Sequence, residues 1–165
     1  MAVINSKVVR RTHALQFYPS GRDFRHHEAT MMGKGVPGWL RAAAMSVGLG
    51  GFVFLASLGP TRRLLERYLL PKPGEGPNRE QRETGFFDLR QFGKLPDGTV
   101  VRTKITGDRD PGYGSTSKML AESGVCLAKE ELSSDGGVLT PAAAMGDALL
   151  PRLQENAGLT FVVLG

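Results

Sequence analysis

Residues 110–116 form a stretch whose residue types could bind an anion. The stretch reads Asp-Pro-Gly-Tyr-Gly-Ser-Thr and directly precedes a segment with the apolar spacing of a helix. The first turn of a helix has backbone N–H groups without partners, and Tyr113, Ser115 and Thr116 would add a phenol and two hydroxyls. Together these groups could bind a carboxylate or a phosphate, and the neighbouring Arg109 could reach an acidic substrate. The sequence therefore marks these four residues as substrate-binding candidates.

The same stretch also has a purely structural interpretation. Ser115 or Thr116 could cap the helix, and Tyr113 could pack against the domain. Residues 108–110, which read Asp-Arg-Asp, could form an ion-paired turn, and this is the interpretation that we favour for Arg109. In that case the loop would position the helix without contacting a ligand.

Histidine and cysteine do not occur in patterns typical of metal sites or of nucleophilic catalysis. His13, His26 and His27 have no acid or cysteine at ligand spacing, and adjacent histidines on a strand would point to opposite faces. Cys126 is the single cysteine, so it forms no intrachain disulfide and builds no metal site alone. No zinc site and no Ser-His-Asp or Cys-His arrangement is predicted.

The one glycine-rich run of the chain does not match a dinucleotide-binding motif. Residues 48–51 read Gly-Leu-Gly-Gly and lie within an apolar segment. They lack the Gly-x-Gly-x-x-Gly spacing, and no ribose-binding acid follows about 20 residues later. We therefore expect no cofactor-binding residues in this chain.

Residues 84–165 predict a compact α+β domain. Alternation of apolar and polar residues over 100–105 is typical of a half-buried strand. The Pro-Asp-Gly-Thr sequence at 96–99 predicts a type I′ hairpin turn, so the partner strand would cover about 84–94. The β-branched residues of 159–164 predict a final short strand.

A helix is predicted from Ser115 or Thr116 to about Leu132. Its apolar residues have helical spacing and predict the buried face: Leu120, Gly124, Leu127 and Ala128. Further core candidates are Met119, Met145 and Leu149.

A second helix is predicted to begin at Thr140-Pro141 and to end at Gly158. Pro151 lies inside it and should kink the helix near Ala148, because proline removes a backbone donor. The predicted fold class is therefore α+β, with a small mixed or antiparallel sheet, two C-terminal helices and a long apolar helical segment.

That apolar segment lies within residues 37–70. The twenty residues 42–61 carry no formal charge, and as a helix they would extend about 30 Å, the thickness of a bilayer core. Such a helix could enter a membrane, pack on a partner or form an ordinary core, and we favour the membrane. The residues predicted to face the membrane are Trp39, Met45, Leu49, Phe52, Phe54 and Leu58.

The N-terminal segment, residues 1–36, is basic and could contain a strand from Phe24 to Met32. Residues 1–41 hold seven Lys/Arg and two acids, which accounts for the net charge of +5. Basic residues beside an apolar segment favour an anionic membrane surface over nucleic acid. The arginine-rich, acid-poor start could also be a mitochondrial presequence, but we favour its being part of the domain. Residues 71–83 are rich in proline and glycine and predict a linker.

Three stretches resemble the C-terminal portion of saccharopine dehydrogenase-like oxidoreductases. They are Val-Arg-Arg-Thr at 9–12, Gly-Asp-Arg-Asp-Pro-Gly-Tyr-Gly-Ser-Thr-Ser-Lys-Met-Leu-Ala-Glu at 107–122, and Gly-Gly-Val-Leu-Thr-Pro-Ala-Ala-Ala-Met-Gly at 136–146. The resemblance implies a Rossmann domain for NAD(P) and an α+β domain that closes over the substrate. Since the glycine motif is absent, this chain would be the substrate-side, non-Rossmann part and inactive alone.

A second hypothesis treats the chain as non-catalytic. A chain without a cofactor-binding half could serve as an accessory or anchoring subunit of a membrane complex, or on a lipid surface. The partner would then be a separate Rossmann domain or a larger membrane complex, with roles in lipid metabolism. The corresponding location is an intracellular membrane, a mitochondrion or a lipid droplet.

Overall fold

The computed structural model describes residues 2–72, 74–134 and 136–164. The chain divides into two compact units, one formed by residues 1–26 and 77–165 and the other by residues 27–76. The elements are α1 (Ala2–Leu15), α2 (Gly35–Ser57), α3 (Gly59–Tyr68), α4 (Arg79–Thr84), β1 (Phe87–Lys94), β2 (Val100–Gly107), α5 (Gly114–Lys129), α6 (Pro141–Asn156) and β3 (Leu159–Leu164).

The three strands form an antiparallel sheet in the order β1-β2-β3. In its register, Ile105 lies opposite Leu89 on one side and Phe161 on the other. Helices α5 and α6 lie between β2 and β3 in the sequence and pack on each other. The predicted α+β class, with its small sheet, two C-terminal helices and long apolar helix, is confirmed.

The hairpin between β1 and β2 has a longer loop than predicted. Leu95 donates its N–H to the Thr99 carbonyl at 2.9 Å and accepts from the Gly98 N–H at 3.0 Å. Gly98 has φ of 90°, whereas Asp97 does not have positive φ. The connection is thus a three-residue loop with Gly98 in the left-handed region. It is not the predicted type I′ turn, which would need positive φ at both central residues.

The core of the larger unit lies between α5 and α6. Cys126, Met145 and Leu149 are buried together there. The predicted apolar stripe of α5 is wrong, since Leu120 and Leu127 are 72% and 58% exposed. The helix turns its Cys126 side to α6 instead, and α5 ends at Lys129 rather than near Leu132.

Helix α6 is distorted, but not at the position that we predicted from Pro151. Thr140 is the N-cap residue, as expected, although its side chain makes no capping bond. The backbone departs from helical geometry at Met145, with φ of −150° and ψ of 23°, rather than near Ala148. Pro151 continues the helix after this break.

The basic N-terminal segment is helical. Residues 2–15 form α1, whose Thr12 hydroxyl lies 2.7 Å from the Thr140 hydroxyl at the start of α6. Residues 24–32 form no strand, so that prediction is wrong. The His13 ring packs on Phe24 with ring centres 4.6 Å apart, an aromatic contact that does not require extended backbone.

The smaller unit consists mainly of α2 and α3. The uncharged run 42–61 is not one helix, because α2 ends at Ser57, Leu58 is extended, and α3 restarts with Pro60 in its first turn. Helix α2 has 23 residues and is long and apolar enough to cross a membrane, and none of its apolar window is buried. All six residues predicted to face a membrane are exposed.

The stretch predicted as a linker contains a helix. Helix α4 begins inside it, with a capping box in which Asn78 and Gln81 each bond the other's backbone N–H. The partner strand also starts later than expected, at Phe87. Reciprocal capping of this kind stabilises short helices that composition alone assigns to loops.

Candidate functional site

A basic cavity lies beside the first turn of α5. Its volume is about 320 Å³, and three segments contribute to it: α4, the turn after β2 and the start of α5. The residues that line it are Arg79, Arg82, Glu83, Arg109, Tyr113, Gly114, Ser117 and Lys118.

Close backbone packing brings α4 against the turn after β2. The Asp110 N–H donates to the Arg82 carbonyl at 3.1 Å. A Cβ atom added to Gly85 would lie 2.6 Å from the Asp110 backbone, and one added to Gly114 would lie 2.8 Å from the Arg82 carbonyl oxygen. Glycine at 85 and 114 therefore allows the two segments to approach closely enough to share one cavity.

Asp110, rather than Ser115 or Thr116, accepts the free backbone N–H groups at the start of α5. Its carboxylate accepts the N–H groups of Tyr113 at 2.6 Å and Gly114 at 3.3 Å. The bond from Tyr113 is the main reason that the pKa of Asp110 lies below its usual range, while partial burial opposes the shift. The predicted serine or threonine cap is therefore corrected to an aspartate cap.

The structure brings two of the four predicted binding residues to the cavity. Arg109 and Tyr113 line it, and Tyr113 is 58% exposed. Ser115 is fully buried and donates to the Arg109 carbonyl at 3.0 Å. Thr116 donates to the Pro111 carbonyl at 2.6 Å. These two hydroxyls thus have local acceptors and do not line the cavity.

The charges around the cavity are only partly paired. Glu83 pairs with Arg79 at 2.8 Å, and Lys118 pairs with Asp108 at 3.4 Å. The ion-paired turn that we predicted thus draws its cation from α5 and not from Arg109.

Two guanidinium groups that line the cavity, those of Arg82 and Arg109, have no carboxylate oxygen within 4.0 Å in the described part of the chain. Both still act on Glu83 at longer range. The hydrogen bond from Arg79 is the main cause that lowers the pKa of Glu83, and the charges of Arg109 and Arg82 add to it.

The cavity can therefore bind an anion or stabilise negative charge on an oxygen. The sequence reasoning missed three of its cations, Arg79, Arg82 and Lys118. The sequence signal that could have revealed Arg79 and Arg82 is the Asn-x-x-Gln pattern at 78–81, which marks a helix start. On that helix, residues three apart such as Arg79 and Arg82 lie on the same side.

The described residues do not form a dinucleotide-binding loop. The Gly-Leu-Gly-Gly run at 48–51 lies inside α2, where backbone N–H groups bond within the helix and cannot cradle a phosphate. Among residues 2–72, 74–134 and 136–164, no group of three His, Cys, Asp or Glu could hold a metal ion. His26 instead bonds the Ser6 hydroxyl at 3.1 Å, and His13 accepts the Ser20 N–H at 3.1 Å.

The described residues form an α+β chain with a cavity lined by cationic side chains. Comparison with known proteins adds a set of relatives. The chain is 42% identical over 162 residues to a Mycobacterium tuberculosis protein provisionally named a trans-acting enoyl reductase. It is 40% identical over 165 residues to the trans-acting enoyl reductase of Mycobacterium bovis, and 38% identical over 157 residues to that of Mycobacterium ulcerans.

These alignments cover 93%, 97% and 92% of this chain but only 38%, 39% and 37% of the relatives. The chain thus spans less than two fifths of the length of each of them. No family model and no solved structure matches the chain.

The comparison corrects the family that the sequence suggested. The relatives are named enoyl reductases, so the saccharopine dehydrogenase-like assignment and a role as the C-terminal part of such an enzyme are not retained. The names of the relatives do not support an accessory-subunit role or lipid metabolism, and they do not test a membrane location.

Proposed function

We propose that this chain is part of an oxidoreductase that reduces α,β-unsaturated acyl groups and acts in trans. The observation that carries the proposal is 40–42% identity to trans-acting enoyl reductases along nearly the whole chain. The basic cavity agrees with this chemistry, because enoyl reduction develops negative charge on the acyl oxygen.

The chemistry assigns a role to one residue beside the cavity. Addition of hydride to the β-carbon leaves an enolate, and protonation of its α-carbon by solvent completes the reduction. The exposed Tyr113 phenol can donate a hydrogen bond to the enolate oxygen.

The hydride donor of the whole enzyme would be NAD(P)H, as the reductase names of the relatives suggest. The glycine run of the described residues does not form a dinucleotide-binding loop, because it is helical. We therefore propose that other parts of the full enzyme supply that loop.

The name of the relatives also suggests a partner. An enzyme that acts in trans receives its substrate from a separate protein, so we propose that such a partner presents the enoyl group. The cavity lies at the surface beside exposed Tyr113, which leaves it open to a substrate that arrives on another molecule.

A chimera tests the proposal. The matched segment of the Mycobacterium bovis enzyme is replaced by this chain, and NADPH consumption is followed with an α,β-unsaturated acyl thioester. We expect turnover by the chimera. Tyr113→Phe should lower kcat by about 10²-fold while the melting temperature stays unchanged, because the lost group acts on the transition state.

Tyr68→Phe is the matched control, since Tyr68 is also exposed and lies outside the cavity. It should leave kcat unchanged. A chimera that folds and binds NADPH but reduces no enoyl thioester would contradict the proposed function.

The location of the chain is a separate proposal. We propose that α2 lies against an intracellular membrane surface. In support, α2 is apolar over 23 residues, none of its apolar window is buried, and α3 carries Arg62, Arg63 and Arg67 directly after it. Cations beside an apolar helix favour anionic lipid headgroups.

A further inference from the structure

We infer that the basic cavity binds a phosphate group. The inference rests on the proposed function only for the molecule that carries the phosphate, which would be either the arm that bears the enoyl thioester or the nicotinamide nucleotide. Phosphate binding itself is a property of this chain's own side chains and can be tested without any enzymatic activity.

The first argument is the supply of uncommitted cations. Four cationic side chains line a space of about 320 Å³, and Glu83 is the one acid among the lining residues. Arg82 and Arg109 have no ion pair in the described part of the chain. Two free guanidinium groups beside one cavity match the planar, bidentate geometry that phosphate oxygens accept.

The second argument is the position of Glu83. Its carboxylate is held by Arg79 and attracted by Arg109 and Arg82, so the chain itself places an anion at the edge of this cation cluster. One carboxylate leaves most of the positive charge uncompensated. A phosphate monoester, with a charge of about −1.5 to −2 near pH 7, would offset more of it than a second carboxylate could.

The third argument separates this site from an ordinary helix start. The Asp110 carboxylate already accepts the N–H groups of Tyr113 and Gly114, so the first turn of α5 has little left to offer an anion. Binding must come from the side chains that converge from α4, the turn and α5. Such side chains select a ligand by its charge and by the geometry of its oxygens, and both favour phosphate over a carboxylate.

Titration with inorganic phosphate and pyrophosphate tests the site. Binding is followed by two-dimensional amide NMR of the intact chain, in which signals from residues 112–118 should shift. Arg82→Gln and Arg109→Gln should each weaken pyrophosphate binding about tenfold, as expected for a lost charge-assisted bond. Arg102→Gln is the control, because Arg102 is exposed on β2, has no ion pair among the described residues and lies outside the cavity.

Glu83→Gln gives a result of opposite sign. Removal of the competing carboxylate should strengthen pyrophosphate binding several-fold and release Arg79 to the ligand. The amide spectrum reports directly whether each variant is folded. Equal losses in the Arg82, Arg109 and Arg102 variants would overturn the inference, since binding would then reflect net charge alone. No gain with Glu83→Gln would also overturn it, since the Glu83 carboxylate would then not compete with pyrophosphate at this site.

Competition identifies the source of the phosphate. Displacement of pyrophosphate by phosphopantetheine, but not by pantetheine, would assign the site to the thioester arm. Displacement by NADP would assign it to the nucleotide. If inorganic phosphate and pyrophosphate shift no signal at 112–118 while the chimera still reduces enoyl thioesters, the phosphate site is wrong and the proposed function stands.

Discussion

The backbone N–H of Asp110 donates to the carbonyl oxygen of Arg82 across 3.1 Å, and this bond joins the turn after β2 to helix α4. The side chains of the same two residues serve different purposes. The Asp110 carboxylate holds the start of α5, and the Arg82 guanidinium lines the cavity. The site thus depends on a close approach of two backbones.

Gly114→Ala should disrupt that approach. The added Cβ would lie 2.8 Å from the Arg82 carbonyl oxygen and 2.9 Å from the Arg109 Cβ, and neither is the flexible end of a side chain. We expect a loss of about 1–3 kcal/mol in the free energy of unfolding, the usual cost of overpacking. Urea denaturation measures it, and pyrophosphate affinity should fall as well.

Gly124→Ala is the matched control on the same helix. A Cβ at Gly124 meets nothing within 4 Å. This substitution should therefore stabilise the chain by about 0.5–1 kcal/mol, because alanine favours the helix over glycine. Equal effects of the two substitutions would show that the close contact at Gly114 has no energetic weight.

Asp110→Ala should lower the melting temperature by a few degrees at neutral pH, because two N–H groups lose their acceptor. The pKa of Asp110 is depressed in the fold, chiefly by the bond from Tyr113. Its contribution is therefore complete above the unfolded pKa of about 3.9 and is lost as the pH falls through the lower folded pKa.

The melting temperatures of the parent chain and of Asp110→Ala should accordingly converge below about pH 4. Differential scanning calorimetry from pH 7 downward measures the difference. A gap of constant size at every pH would mean that the carboxylate charge does not stabilise the helix start.

Local sequence signals predicted much of this fold. Thr140-Pro141 marked the start of α6, the Pro-Asp-Gly-Thr stretch marked a hairpin, and the β-branched run at 159–164 marked β3. Each signal acts within a few residues through φ preferences, capping or alternation. Such signals are legible without knowledge of the rest of the chain.

The cavity was predicted only in part because tertiary packing assembles it. Arg109 and Tyr113 were found beside a recognisable helix start, whereas Arg82 comes from a segment that composition assigned to a linker. The stripe of Leu120 and Leu127 was misassigned for a related reason. Helical spacing shows that residues share a face, but the partner helix decides which face is buried.

The proposed membrane location predicts binding to vesicles. The intact chain should sediment with vesicles that contain anionic phospholipid and remain in the supernatant with neutral ones at moderate salt. Leu49→Asp places a charge on α2 and should reduce sedimentation strongly, whereas Leu120→Asp should not, although both leucines are exposed. Absence of sedimentation with anionic vesicles at low salt would contradict the location.

Cys126→Ser should be the most disruptive small change in the core. The thiol is fully buried against Met145 and Leu149, and the hydroxyl of serine would lack the solvation that it has in the unfolded chain. We expect a loss of about 1–3 kcal/mol in the free energy of unfolding, measured by urea denaturation. Cys126→Ala should cost less, since it removes volume without burying a polar group, and Ser123→Ala on the same helix is a control for helix propensity.

Labelling of the Cys126 thiol should in turn be slow in the native chain and rapid in urea. Fast labelling under native conditions, or equal stability of the serine and alanine variants, would show that the α5–α6 core opens readily.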